Sequence, residues 1–166
     1  MNMTFNNASS ANIERIIYTT DSLPPMRYVI PHLPPMLFME KRITWERGKG
    51  TTSCELKNDT FYMQNNIFKG HWLIEFLAQG IAVIAGTEEA VDNKTTVHSF
   101  GFIVSIDKFK IHSVQQLKAG ETVIIRVERV FHLHPTSVHN ATAFCNEEII
   151  AEGQFKTFLM LEGFKK

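Results

Sequence analysis

His71, Glu75 and Gln79 follow one another at four-residue intervals, His71 just before and the other two within a stretch, Trp72 to Ala85, that is otherwise apolar. On a helix that spacing stacks the three along one face. Burying a carboxylate is costly unless it is paired or protonated, so Glu75 requires a partner or a raised pKa. A carboxyl group held beside an imidazole in apolar surroundings exchanges protons near neutral pH. Loss of a proton next to a carbonyl, with expulsion of a hydroxyl one carbon further on, needs such a pair, the histidine as base and the carboxyl as acid. A plainer reading stays open: a glutamate near a helix N-terminus is favoured by the macrodipole, and a histidine just before it can cap the helix or face water. His32, in the proline-held segment Pro31-His32-Leu33-Pro34, is a second imidazole whose rigid setting could present it to a helix or pack it at an interface.

The elements that must position these residues follow from pattern. Prolines in Leu23-Pro24-Pro25-Met26 and Ile30-Pro31-His32-Leu33-Pro34-Pro35-Met36 exclude a regular helix and favour an extended segment. Leu37 to Trp45 and Thr51 to Leu56 read as a hairpin around Gly48-Lys49-Gly50. Trp72 to Gly86, apolar on nearly every side, reads as a buried helix stopped by Gly86, with a polar connection from Thr87 to Thr96. Strand patterns resume at Phe100 to Phe109, Glu121 to His132, Ser137 to Cys145 and Ile149 to Leu161. Phe100, Phe102, Phe109, Phe144, Phe155 and Phe158 are expected mostly to face the helix as core, a few lining an apolar tunnel. The expected fold class is α+β, an antiparallel sheet wrapped around one long hydrophobic helix.

Composition narrows the function. With 17 basic and 17 acidic residues in a chain of 166, no basic footprint for nucleic acid is present. Residues 1–11, rich in Asn and Ser, are expected to be a flexible tail ahead of a single domain over 12–166. No secretory signal or membrane span is read, and Cys54 and Cys145 suit neither a disulfide framework nor a zinc site, so a cytoplasmic location is expected. His132, His134 and His139 flank Pro135, but without carboxylates or cysteines at ligand spacing they read as a turn between strands. Neither a metal nor a cofactor is expected.

Several motifs taken in order carry a resemblance. They are Pro31 to Met39, Asn66-Ile67-Phe68-Lys69-Gly70-His71, Glu75-Phe76-Leu77-Ala78-Gln79, Ile106-Asp107-Lys108-Phe109-Lys110 and Lys118-Ala119-Gly120-Glu121. From about Val29 to Phe158 the chain resembles the hot-dog β-hydroxyacyl-acyl-carrier-protein dehydratases, in particular the branch of aryl-polyene and flexirubin-type pigment synthesis. The resemblance implies a hot-dog fold and dehydration of a 3-hydroxyacyl thioester, on acyl carrier protein or coenzyme A, to the 2-enoyl form. It places the catalytic pair on His71 and Glu75, with His32 in reserve for the histidine, and a substrate-binding role on Gly70, Trp72 and Gln79. One departure stands out: the family's proline- and glycine-rich loop between His and acid is reduced to Trp72-Leu73-Ile74, leaving helix N-terminal amides to polarise the thioester carbonyl.

The family pairs its acid and base across subunits, so the resemblance implies a homodimer, a higher assembly of dimers, or a heterodimer with another hot-dog subunit. Two other activities fit the same residues. One is a hot-dog thioesterase, in which the carboxyl activates water or attacks the acyl carbon; the other is a non-catalytic acyl-binding subunit of a heteromeric dehydratase.

Overall fold

The computed structural model describes residues 23–93, 99–112 and 117–161. Alternation gives the strands their faces. In β6, Thr122–Leu133, the side chains of Val123, Ile125 and Val127 are buried between outward neighbours, and in β7, Thr136–Cys145, those of His139, Ala141, Ala143 and Cys145 are. Each period-2 pattern gives its strand one face for a core and one for water. With β1 (Lys41–Glu46), β2 (Lys49–Glu55), β5 (Ser99–Ile111) and β8 (Glu148–Leu161) they make a six-stranded antiparallel sheet ordered β1-β2-β6-β7-β8-β5.

The sheet curls around helix α1, Leu73–Asn93, which buries Leu73, Phe76, Leu77, Val83 and Ile84 completely or nearly so. Contact is close because Gly80 lacks a side chain: a Cβ there would stand 2.4 Å from Ile125 Cγ2 on β6. The helix does not stop at Gly86, as its sequence suggests, but runs a further seven residues to Asn93. Gly86 is needed for another reason, since a Cβ would fall 1.9 Å from the carbonyl oxygen of Val29 in the segment laid across the helix. Beyond it Thr87 Oγ1 donates to the Val83 carbonyl at 2.6 Å, and Arg47 and Arg129 donate to Glu88, each at 3.1 Å. Polar residues that look like a connection are thus a held helical end.

Two further differences concern short pieces. β1 begins at Lys41, not Leu37, because the Phe38 amide is taken by a helix side chain. Between β2 and α1 a hairpin of two-residue strands, β3 (Met63–Gln64) and β4 (Ile67–Phe68), turns on Asn65 and Asn66 with φ of 53° and 61°. Asparagine tolerates that left-handed turn better than most residues. Of the phenylalanines expected in the core, Phe155 is fully buried, Phe109 and Phe144 half-buried, and Phe102 and Phe158 exposed. The aromatic core instead gathers Phe38, Tyr62, Phe68 and Phe76 at the N-terminal end of α1, with ring centroids 4.9 to 5.8 Å apart. Residues 1–11 and the Phe100 side chain lie outside the described residues, among which no helix is long and apolar enough to cross a membrane.

Gly86→Ala gains helix propensity of about 1 kcal/mol but forces its methyl against backbone. The expected outcome is net destabilisation by about 1–3 kcal/mol, of the size seen when a packed site is overfilled, read from the midpoint of urea unfolding.

Candidate functional site

The segment Leu23 to Met36 carries His32 across the outside of α1 and is tied down at three points. Arg42 donates to the Pro24 carbonyl at 2.9 Å and to Thr87 Oγ1 at 2.8 Å. Val29 and Ile30 are buried, Val29 against Gly86. At the far end Gln79, fully buried on α1, donates through Nε2 to the Met36 carbonyl at 2.6 Å and accepts the Phe38 amide on Oε1 at 2.8 Å. His32 lies between the Val29 and Met36 contacts, on a stretch whose prolines remove backbone freedom.

The same Gln79 Nε2 donates to Glu75 Oε1 at 2.8 Å, one turn nearer the helix start. Glu75 is in the first turn of α1, where the macrodipole favours a carboxylate. His32 Nε2 stands 3.4 Å from that same Oε1. The two side chains are 33% and 30% exposed, so the carboxyl is half-buried with a partner rather than sequestered as the apolar helix suggests. Imidazole and carboxyl therefore meet within one chain, both open to a cavity of about 550 Å³ between α1 and the sheet.

The other residues singled out by sequence fall elsewhere. Gly70, His71 and Trp72 form a 3-10 turn ahead of α1, and none of them lines the cavity. His71 is exposed, its ring 5.5 Å from that of Trp72, and the change of helix type takes it out of the line with Glu75 and Gln79. Trp72 packs on Phe61 at 4.9 Å. The turn also consumes amides expected to be free for a carbonyl, since the Trp72 N–H goes to the Lys69 carbonyl and the Leu73 N–H to those of Gly70 and His71. Gln79, fully buried, is a support for Glu75 and the lead-in segment and does not reach the cavity.

What sequence reasoning missed is the opposite wall. Arg129, His132, Ser137 and His139 line the same cavity as His32 and Glu75. Arg129 pairs with Glu88 at 3.1 Å, and His132 Nδ1 lies 2.8 Å from Ser137 Oγ. His139 is 3% exposed, its Nδ1 has no hydrogen-bond partner, and burial, with Arg129 and His132 nearby, pushes its pKa down to about 4. The alternation of β7 marks position 139 as inward, which is the signal that was there to be read. Among the described residues no three His, Cys, Asp or Glu side chains gather as a metal ion would require.

Comparison with known proteins bears on the family and the fold. The family model for ApeP-like proteins, described as ApeP dehydratase, matches residues 24–163. A 3-hydroxyacyl-[acyl-carrier-protein] dehydratase FabZ of Caldicellulosiruptor bescii is 26% identical over 132 residues, covering 76% of this chain and 89% of that protein. Among solved structures, the dehydratase heterocomplex ApeI:P from Xenorhabdus doucetiae superposes with a TM-score of 0.74 at 17% identity, covering 84% of this chain and 93% of that one. A hypothetical thioesterase with coenzyme A from Streptococcus pneumoniae gives 0.55 at 12% identity, over 72% and 84%. The fold is the hot-dog fold.

Two outcomes follow from the geometry. Gln79→Leu strands the buried Phe38 amide as well as the part-buried Met36 carbonyl; a buried group left unpaired costs about 1–3 kcal/mol, and urea unfolding should show a loss of that order. His139 binds its proton less readily folded than unfolded, so its contribution is fully present above about pH 6.5 and is lost as pH falls toward about 4. Unfolding free energy should therefore drop by up to about 3 kcal/mol across that window, and His139→Gln should flatten the drop.

Proposed function

The chain belongs to the ApeP-like dehydratase family, and from that premise we propose that it converts 3-hydroxyacyl thioesters, carried on acyl carrier protein, to 2-enoyl thioesters, using His32 as base and Glu75 as acid. The observation that carries the residue assignment is the 3.4 Å separation of His32 Nε2 from Glu75 Oε1 at the edge of a mostly apolar cavity. His32 takes the proton from C2 of the substrate while Glu75 gives one to the C3 hydroxyl, which leaves as water as the double bond forms. The imidazolium and carboxylate left behind are close enough to pass the proton back, which restores the starting state without an outside donor. Gln79 keeps the accepting oxygen of Glu75 aimed at His32. His71 lacks this access, being exposed and outside the cavity.

The sheet edges support an assembly. β1 presents Lys41 and Glu46, charges that discourage pairing. β5, the opposite edge, is thirteen residues long and exposes Phe102, Ile103, Val104 and Ile111. An apolar edge with unpaired backbone is a template for another strand, and we read β5 as the contact with a second hot-dog subunit, a copy of this chain or a related one. The heterocomplex from Xenorhabdus doucetiae is a precedent for the related one. A cytoplasmic setting is consistent with two buried free thiols, Cys54 and Cys145.

Glu75→Gln and His32→Ala should each lower turnover by about 10²–10⁴-fold, the usual contribution of a positioned acid or base. His71→Ala should change it by less than about tenfold. Enoyl absorbance without thiol release is the readout, and thiol release instead would turn the assignment to hydrolysis. Val104→Lys should convert the assembly to monomer by light scattering, and a monomeric parent protein would remove the β5 contact.

A further inference from the structure

Strand β1 breaks the alternation of a regular strand at one point. Its register shifts between Arg42 and Thr44, which leaves Ile43 as an extra residue, a β-bulge on an edge strand of the sheet. Trp45 is buried and reaches α1, its Nε1 donating to the Ile84 carbonyl at 3.1 Å. On a regular strand a residue three positions away would point to the other face. The bulge reverses that, so Arg42 also reaches α1, its Nη1 donating to Thr87 Oγ1 at 2.8 Å, while Ile43 is turned out and 44% exposed.

This exchange runs against stability. Without the bulge the strand would aim the isoleucine at the helix and leave the arginine in water, the arrangement that burial of apolar surface favours. As folded, Arg42 is half-buried, and burial lowers its pKa. Among the described residues no carboxylate pairs with it, and its buried Nε has no hydrogen-bond partner. What the arrangement secures, besides the bond to Thr87, is one from Nη2 to the Pro24 carbonyl at 2.9 Å. A strand that turns out an isoleucine, takes in a cation and strands a donor breaks local rules at one place, as proteins do where function requires it.

Pro24 lies eight residues before His32, and the Gln79 amide grips Met36 and Phe38, four and six residues after it. Pro24, Pro25, Pro31, Pro34 and Pro35 stiffen the span between. A stiff segment held at both ends has its middle fixed as well. We propose that Arg42 is a positioning residue for the reaction, which through Pro24 and Thr87 holds the lead-in segment so that His32 meets Glu75. Arg42 does not line the cavity and acts on the chemistry only through His32. The assignment rests on the dehydration reading above, whose base it places. Misplacing a reacting group by about 1 Å can cost on the order of 10²-fold in rate.

The test uses the full chain, with its hot-dog partner where one is needed for turnover, and the variants Arg42→Met and Arg42→Lys, each alone and combined with His32→Ala. Arg42→Met should lower kcat by about 10- to 100-fold on a 3-hydroxyacyl pantetheine thioester, with KM changed by less than about twofold, and Arg42→Lys should recover part of the loss. Added to His32→Ala, Arg42→Met should cause no further fall, since a residue that acts through the imidazole has nothing left to position. A second readout needs no turnover. Carbethoxylation of His32 by diethylpyrocarbonate, followed by mass spectrometry, should run at least about fivefold faster in Arg42→Met, with the exposed His71 labelled at an unchanged rate. Thr87→Val, which removes the helix-side partner, serves in the same way should Arg42→Met fail to fold. An unchanged kcat, an equal loss with and without His32, or unchanged labelling of His32 overturns the assignment of Arg42. Absence of turnover in the parent protein, with the labelling response intact, overturns the dehydration reading and leaves Arg42 as the residue that holds His32 in place.

Discussion

One buried amide joins the two halves of the site. Gln79 makes three hydrogen bonds of 2.6 to 2.8 Å, two to the backbone that follows His32 and one to the carboxyl of Glu75. A primary amide suits the position because it carries donors and an acceptor on one rigid plane, so it can satisfy a carbonyl, an N–H and a carboxylate oxygen together. An acid there would repel Glu75, and an aliphatic side chain would strand the backbone. Gln79 is fully buried, so packing fixes its amide and with it the spacing of imidazole and carboxyl.

The rest of the lead-in segment follows the same rule of fixing by contact. Gly86 gives the Val29 carbonyl room to lie on the helix, and Arg42 spans Pro24 and Thr87. The helix runs past Gly86 because its last two turns carry carboxylates that Arg47 and Arg129 hold from the β1–β2 turn and from β6. These links bring the cavity wall, the helix end and the sheet into one arrangement. An extended segment, a helix and a strand thus share a single site although each has a different local preference.

Local patterns made the sheet and helix legible, because period-2 alternation in β6 and β7 and the apolar run from Leu73 are properties of neighbouring residues. Glu75 stood out for the same reason, as a charge in that run. The partner of Glu75 was less legible. His71 has the helical spacing, but the 3-10 turn at Gly70–Trp72 breaks it, and His32 reaches the carboxyl through contacts with residues some forty positions away. The helix end misled because Gly86 serves a tertiary contact and not a terminus. β3 and β4 are too short to leave a period, whereas the inward placement of His139 is carried by the alternation of β7.

Phe38 and Gln79 are 41 residues apart in sequence, and the imidazole is delivered only when that long loop closes. The lead-in segment contributes no strand to the six-stranded sheet and is held through Leu23, Ile30 and Phe38, which share one core with the helix and the sheet. The Phe38 amide, held by Gln79 across those 41 residues, is the natural reporter of this closure in hydrogen exchange. Loosening of that closure would separate imidazole from carboxyl without unpairing any strand of the sheet.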